Sequence, residues 1–158
     1  MKKKVLFVCL GNICRSPAAE AVFRHIVREA GVENEFEVDS AGTGDWHVGQ
    51  LPDSRMRKHG KDRGLDICSI ARTLDPARDF DFDYIVVMDK SNYNNVLNLA
   101  RHAGKDLTNR LFYMCDFASE QPYREVPDPY HGGDKEFTLV LDLLEKTCRG
   151  LLEHTGKG

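Results

Sequence analysis

The sequence predicts an α/β protein: a single three-layer domain over residues 1–158, in which a central parallel sheet of about four strands carries helices on both faces. Short apolar runs alternate along the chain with segments of helical periodicity, which is the pattern of βαβ units. The length of 158 residues suits one ordinary domain, and the hydrophobic fraction of 41% is enough for a core. No repeat, low-complexity tract or linker divides the chain.

Each element is predicted from its own pattern. Strands are expected where apolar residues run together, at residues 5–8, 36–40, 83–88 and 110–114. Helices are expected where apolar residues recur every three or four positions, at residues 18–30, 53–59, 92–102 and 134–154. Ser16 and Ser91 are the expected caps of the first and third helices, and Gly31 and Gly60 the expected ends of the first two. The third strand is the most apolar and should lie inside the sheet.

The loop between the first strand and the first helix carries the main candidate site. The start of a helix offers free N–H groups and the positive end of its dipole, so such a loop can bind an anion. Cys9 begins this loop with a thiol, and Arg15 adds a guanidinium whose donors fit phosphate oxygens. A cysteine in such positive potential should ionise and act as a nucleophile. The spacing Cys-x5-Arg-Ser therefore predicts a phosphate site, in preference to a dinucleotide-type turn with incidental cysteines.

The loop must curl tightly to surround a tetrahedral anion with inward-pointing N–H groups. Gly11 and Asn12 are the residues expected to accept the positive φ that this curl needs. The residues predicted to bind phosphate are Leu10, Gly11, Asn12, Ile13, Cys14, Arg15 and Ser16.

Four residues near this loop allow two interpretations each. Ser40, at the end of the second strand, could hold Asn12 by a hydrogen bond or be a simple turn serine. Trp46, the only tryptophan, is either a packing residue or an exposed aromatic wall. Cys14 is either a small core residue or a thiol that resolves oxidised Cys9 as a disulfide. Asp128, stiffened by a proline on each side, belongs to a rigid surface turn or acts as a proton donor.

Composition narrows the functional classes. The net charge of −3 and the scattered basic residues argue against nucleic acid as a partner. The Lys-rich start followed by a short apolar run lacks the length and cleavage site of a signal peptide, and no stretch is long enough to span a membrane. Five irregularly spaced cysteines indicate a reduced, cytoplasmic protein, without a zinc motif.

The loop and several other motifs resemble those of the low molecular weight protein tyrosine phosphatases, over nearly the whole chain. The other matching motifs, in the same order, are Asp39-Ser40-Ala41-Gly42-Thr43, Asp45-Trp46, Met88-Asp89-Lys90-Ser91-Asn92 and Asp128-Pro129-Tyr130. The resemblance implies hydrolysis of phosphotyrosine and aryl phosphate monoesters through a phosphocysteine intermediate. It implies no cofactor and no metal.

The same resemblance implies the roles of individual residues. Cys9 would be the nucleophile, Arg15 the group that stabilises the transition state, and Asp128 the proton donor to the leaving phenol. The residues implied as supports of the loop are Asn12, Ser16 and Ser40. The residues implied as walls of the substrate cleft are Ile13, Trp46 and Tyr130. The expected partners are phosphotyrosine proteins or peptides, with inorganic phosphate as product and a monomeric enzyme.

One departure from the family pattern concerns the support of the loop. Many members carry a Ser-His pair before an Ala-Arg dipeptide, whereas this chain has Ser69 and Ile70. The missing histidine puts one hydrogen bond behind the phosphate loop in doubt, with a quantitative effect expected rather than a loss of activity.

Two enzymes of the same fold and one non-enzymatic function compete with this interpretation. An arsenate reductase would need a relay pair of cysteines near residues 88–95, where the chain has none, and Cys68 stands alone. A protein-arginine phosphatase typically has Thr in place of Ile13. An inactive phosphate-binding module is disfavoured because all three expected catalytic residues are present.

Overall fold

The computed structural model describes residues 1–156 as a four-stranded parallel sheet between two layers of helices. The strands are β1 (Lys3–Cys9), β2 (Phe36–Gly42), β3 (Tyr84–Val87) and β4 (Leu111–Tyr113). The helices are α1 (Arg15–Glu29), α2 (Ser54–Asp62), α3 (Lys90–His102) and α4 (Asp134–His154). Short 3-10 turns occupy Glu33–Glu35, Asp79–Asp81 and Met114–Phe117. The predicted fold class is confirmed.

The sheet has the order β2-β1-β3-β4, so the two strands with the most continuous apolar sequence lie inside it, as predicted for the third strand. Cys9 at the end of β1 is level with Gly42 of β2, and Val8 is level with Val87 of β3. The carboxyl ends of three strands therefore meet at one edge. In parallel α/β sheets this edge is where ligands bind.

The side chains of β1 belong to two separate hydrophobic cores, because successive side chains of a strand point to opposite faces of the sheet. Val5 and Phe7 pack with α1 and α4, whereas Leu6 and Val8 pack with α3. All four are fully buried, and each such side chain contributes about 1.5–3 kcal/mol of burial. The rings of Phe23 in α1 and Phe7 in β1 pack edge to face, with their centres 5.9 Å apart. This contact fixes the position of the helix that follows the phosphate loop.

The starts of two helices differ from the prediction. Helix α1 begins at Arg15, so Ser16 lies inside its first turn instead of capping it. The Ser16 hydroxyl is engaged by Asn12, which explains why it does not cap. Helix α3 is capped by Asp89, whose carboxylate accepts from the Asn92 N–H at 2.8 Å, and not by Ser91.

The predicted ends of the first two helices fare differently. Gly31 follows α1 with a φ of 72°, as expected for a glycine that ends a helix. Gly60, predicted as a stop, lies inside α2, which continues to Asp62. A side chain at Gly60 would meet Ile67 at 2.4 Å, so this glycine allows close packing and does not end the helix.

No helix among residues 1–156 combines the length and the apolar character needed to cross a bilayer.

Candidate active site

The phosphate loop curls between β1 and α1, with its sharpest backbone turn at Asn12. The φ of Asn12 is 56°, whereas Gly11, also expected to adopt a positive φ, does not have one. Gly11 has a different role, because a Cβ atom there would stand 3.0 Å from the His47 ring. Asparagine tolerates the left-handed region better than most residues, and here its side chain is also held in place.

Both polar atoms of the Asn12 side chain form hydrogen bonds within the protein. Its Nδ2 donates to Ser16 Oγ at 2.7 Å and to Ser40 Oγ at 3.1 Å, and its Oδ1 accepts from the Arg72 N–H at 3.0 Å. Asn12, Ser16 and Ser40 are all buried. The structure thus brings together the three residues expected to support the loop, and Ser40 makes the hydrogen bond expected of it.

Glu20 is a member of this network that the sequence did not reveal. Its Oε1 accepts from the hydroxyls of Ser40 and Ser69, each at 2.7 Å, and its Oε2 accepts from Arg24. Ser69 therefore reaches the back of the phosphate loop through a buried carboxylate, while the neighbouring Ile70 is exposed. The one sequence signal for the role of Glu20 was its position four residues after Ser16, on the same face of α1.

Cys9 lies at the base of the site. It is buried, and its Sγ is 3.0 Å from Ser16 Oγ. Because Ser16 Oγ already accepts a hydrogen bond from Asn12, its own proton is free to point toward the sulfur. A donor in that position stabilises a thiolate.

Arg15 is buried and is held by two partners from distant segments. Its Nη1 donates to Asp89 Oδ2 at 2.7 Å and to the Val126 carbonyl at 3.0 Å. Burial alone would lower the pKa of Arg15, but the charge of Cys9 and the hydrogen bond to Asp89 raise it above its ordinary value. The guanidinium therefore stays charged. Asp89 both caps α3 and orients Arg15.

Asp128 faces the same space from the opposite side. Its Oδ2 lies 3.8 Å from Arg15 Nη2, and its side chain is 47% exposed. Its Oδ1 accepts from the Tyr130 N–H at 3.1 Å, which fixes the turn between the two residues. On the other side of Asp128, the Val126 N–H donates to the Met88 carbonyl at 2.9 Å. The carboxylate is thus presented to solvent from a loop anchored close to both its ends.

Cys9, Arg15 and Asp128 line a single open cavity of about 210 Å³. Ile13, Trp46 and Tyr130, the three residues expected to form the cleft, also line it. His47 and His131 also line the cavity. Trp46 is 67% exposed, so it is a wall of the cleft and not a core residue. A slot with flat apolar walls above a charged base suits an aromatic ring that carries an anionic group.

Cys14 lines the cavity as well, but it is buried. Burial, followed by the charge of Asp53, raises the pKa of the Cys14 thiol well above its ordinary range. It is therefore a neutral thiol at neutral pH. Among residues 1–156, no three His, Cys, Asp or Glu side chains are grouped so as to hold a metal ion.

A buried thiol, a guanidinium held on a helix N-terminus and a half-exposed carboxylate define the class of the cysteine-dependent phosphatases. Comparison with known proteins agrees: residues 4–158 match the family described as low molecular weight phosphotyrosine protein phosphatase. A putative low molecular weight protein-tyrosine-phosphatase of Synechocystis is 44% identical over 98% of this chain and 97% of its own. The chain therefore belongs to the low molecular weight phosphotyrosine protein phosphatase family, and it is an enzyme of that class.

Solved structures agree with this assignment. A crystal structure of a protein tyrosine phosphatase from Entamoeba histolytica, with Hepes in its active site, is similar with a TM-score of 0.89 at 44% identity, over 99% of this chain and 100% of that one. A Drosophila arginine phosphatase is similar with a TM-score of 0.89 at 34% identity, over 98% of each chain.

Proposed function

We propose that this enzyme hydrolyses phosphotyrosine and aryl phosphate monoesters through a phosphocysteine intermediate, with Cys9, Arg15 and Asp128 as its catalytic residues. The observation that carries the proposal is their convergence on one cavity with aromatic walls. The family match over residues 4–158 supports treating residues 1–158 as a single domain. All three residues come from one chain, so the proposed reaction needs no residue from a second subunit.

In the first step the phosphate group lies in the loop, with its oxygens on the N–H groups of residues 10–16. The Cys9 thiolate attacks phosphorus in line with the leaving oxygen, so that a P–S bond forms as the P–O ester bond breaks. Asp128, in its protonated form, gives its proton to the departing phenolate. Because a phenol has a pKa of about 10, this proton transfer is worth on the order of 10²–10⁴ in rate.

Arg15 stabilises the charge that the equatorial oxygens carry in the transition state. Its Nη1 is occupied by Asp89 and Val126, which fixes the guanidinium plane. Its Nη2 lies on the side of Asp128, where it is available to the phosphate oxygens of a substrate. A charged group oriented in advance needs no reorganisation when the reaction occurs.

In the second step a water molecule attacks the phosphocysteine. Asp128, now a carboxylate, takes a proton from this water as the P–S bond breaks and the Cys9 thiolate leaves. Inorganic phosphate is the product. Ser16 stabilises the returning thiolate through the contact of 3.0 Å.

We propose phosphotyrosine in proteins or peptides as the physiological class of substrate, and a cytoplasmic location. The flat slot formed by Ile13, Trp46 and Tyr130 supports an aryl substrate over phosphoarginine, whose alkyl chain is flexible. The odd number of cysteines, five, and their irregular spacing support a reducing compartment. The similarity to an arginine phosphatase makes phosphoarginine the substrate to compare with phosphotyrosine.

Two variants test the proposal on simple aryl phosphates. Cys9→Ser should reduce turnover of p-nitrophenyl phosphate to background because the nucleophile is lost. Asp128→Asn should reduce kcat/KM far more for phenyl phosphate, which has the poorer leaving group, than for p-nitrophenyl phosphate. Equal losses on the two substrates would exclude Asp128 as the general acid, and preference for phosphoarginine peptides would overturn the substrate assignment.

A further inference from the structure

Arg55, in the first turn of α2, joins the two halves of the active site. We propose that Arg55 is a positioning residue, which holds the loop of Asp128 at the correct distance from the phosphate loop. The inference rests on the role proposed above for Asp128.

On one side Arg55 binds the segment that follows Asp128. Its Nη2 donates to the Tyr130 carbonyl at 2.8 Å, and its Nη1 donates to the Gly132 carbonyl at 3.3 Å. Its guanidinium carbon also lies 5.7 Å from the centre of the Tyr130 ring and 4.7 Å from that of Phe137. One planar group thus ties down both the main chain of the loop and its aromatic wall.

On the other side Arg55 is attached to the phosphate loop through Asp53. The Asp53 carboxylate accepts from Arg55 Nη2 at 2.9 Å, from Nε at 3.1 Å and from the Arg55 N–H at 2.9 Å. The Asp53 N–H in turn donates to the carbonyl of Ile13, inside the phosphate loop, at 2.8 Å. Burial alone would raise the pKa of Asp53, but the hydrogen bonds from Arg55 lower it, so the carboxylate is charged at neutral pH.

These contacts complete the support of Asp128. The segment before Asp128 is held at Val126, whose main chain is hydrogen-bonded to Met88 and to Arg15. The side after it is held by the Tyr130 and Gly132 carbonyls, which only Arg55 contacts through a side chain among the hydrogen bonds of residues 1–156. Without Arg55 these carbonyls can turn to water. A general acid displaced by about 1 Å loses on the order of 10²-fold in rate.

An arginine that only joins α2 to α4 would not affect the position of Asp128. The chain contains such an arginine for comparison. Arg63, just after the end of α2, pairs with Asp142 at 2.8 Å and with Glu145 at 3.1 Å, both on α4. It touches neither the phosphate loop nor the loop of Asp128. Arg63→Gln is therefore the matched control for the loss of an arginine that bridges these helices.

The experiment measures kcat/KM for phenyl phosphate and p-nitrophenyl phosphate in Arg55→Gln, Arg63→Gln and Asp128→Asn, and in the double variant of Arg55 and Asp128. Arg55→Gln is expected to lose on the order of 10–10²-fold on phenyl phosphate and less on p-nitrophenyl phosphate. In the Asp128→Asn background the same change should have little further effect, because the acid it positions is gone. Inhibition by inorganic phosphate should stay within about 2-fold, since the phosphate loop is intact. Arg63→Gln should lower the urea midpoint without changing the ratio of the two substrates.

The inference is overturned if Arg55→Gln affects both substrates equally, or if its effect is as large without the Asp128 carboxylate as with it. If Asp128→Asn itself shows no dependence on the leaving group, the proposed acid is wrong and the inference falls with it. Should Arg55→Gln fail to fold, Arg55→Lys provides the same test. Lysine keeps the charge but has three donors on one nitrogen, so it cannot make the four side-chain hydrogen bonds that Arg55 makes from three nitrogens. Full activity in Arg55→Lys would therefore also overturn the role of the fork.

Discussion

Replacing Glu20 by alanine should weaken phosphate binding although Glu20 does not line the active-site cavity. Glu20 is buried and accepts the hydroxyl protons of Ser40 and Ser69. With its proton directed to Glu20, Ser40 presents a lone pair to Asn12. Asn12 holds the turn of the phosphate loop. The variant therefore removes the base of a chain of hydrogen bonds that ends at the loop.

The magnitude follows from which groups lose their partners. Ser40 is only 1% exposed, so leaving its hydroxyl without an acceptor costs about 1–3 kcal/mol. Ser69 is half-buried and can turn to water at a cost of about 0.5 kcal/mol. The pair with Arg24, four residues along the same helix, adds about 0.5 kcal/mol. The sum is about 2–4 kcal/mol, less than the 5–15 kcal/mol typical of a domain of this size, so the variant should still fold.

The assay separates stability from support of the loop. Urea denaturation gives the free energy of unfolding, and competitive inhibition by inorganic phosphate gives the affinity of the loop. If about 1 kcal/mol of the loss falls on the phosphate-bound form, the inhibition constant should rise about 5-fold. Ser69→Ala is the control, because it removes one partner of Glu20 but leaves Ser40 in place. It should cost about 1 kcal/mol of stability and leave phosphate affinity unchanged.

The reasoning would be refuted by a Glu20→Ala enzyme that loses the predicted stability but binds phosphate as tightly as the unaltered enzyme. That result would mean that Asn12 holds the loop without help from Ser40.

Three further predictions follow from single contacts. Gly150→Ala should destabilise the protein by about 2 kcal/mol or more, because the added Cβ would lie 1.7 Å from the main-chain oxygen of Phe117; a urea midpoint that rises would contradict it. Burial alone would raise the pKa of Asp79, but the hydrogen bond from Arg72 lowers it, so its stabilisation is complete above about pH 4 and is lost at lower pH. Asp79→Asn should therefore cost about 3 kcal/mol at pH 7 and progressively less as the pH falls below about 4, and a cost in urea that stays constant over that range would be inconsistent with this. Mild peroxide should convert the nucleophilic thiol to a sulfenic acid, which condenses with Cys14 to a disulfide and water; peptide mapping that finds no such bridge would rule this out.

Prediction from the sequence succeeded where a feature depends on neighbouring residues. Helix α4 occupies Asp134–His154, as predicted, because its apolar residues recur at helical spacing and two glycines precede it. The start of α3 was predicted two residues too late because the prediction assigned the cap to Ser91, whereas Asp89 caps the helix. The choice between them depends on backbone geometry, since only Asp89 reaches the Asn92 N–H.

Gly150 illustrates a preference that tertiary contact reverses. In an isolated helix, alanine at this position would be favoured over glycine by about 1 kcal/mol. The carbonyl of Phe117 fills the space that a side chain would need, so the sign of the effect changes. No local rule contains that information, because the two residues meet only through the packing of α4 on the turn after β4.

The sequence by itself determined the phosphate loop. Cys9 and Arg15 are separated by only five residues between a buried strand and a helix, so the chain brings thiol, N–H groups and guanidinium together without help from distant segments. The tertiary structure alone decided that Asp89 meets that loop. Asp89 lies 74 residues from Arg15 and reaches it only because β1 and β3 pair in parallel and end at the same edge of the sheet. Glu20 supports the phosphate loop, and Arg55 supports the loop of Asp128, through contacts of the same long-range kind. Such contacts depend on the packing of buried surfaces, and no periodic pattern in the sequence indicates them.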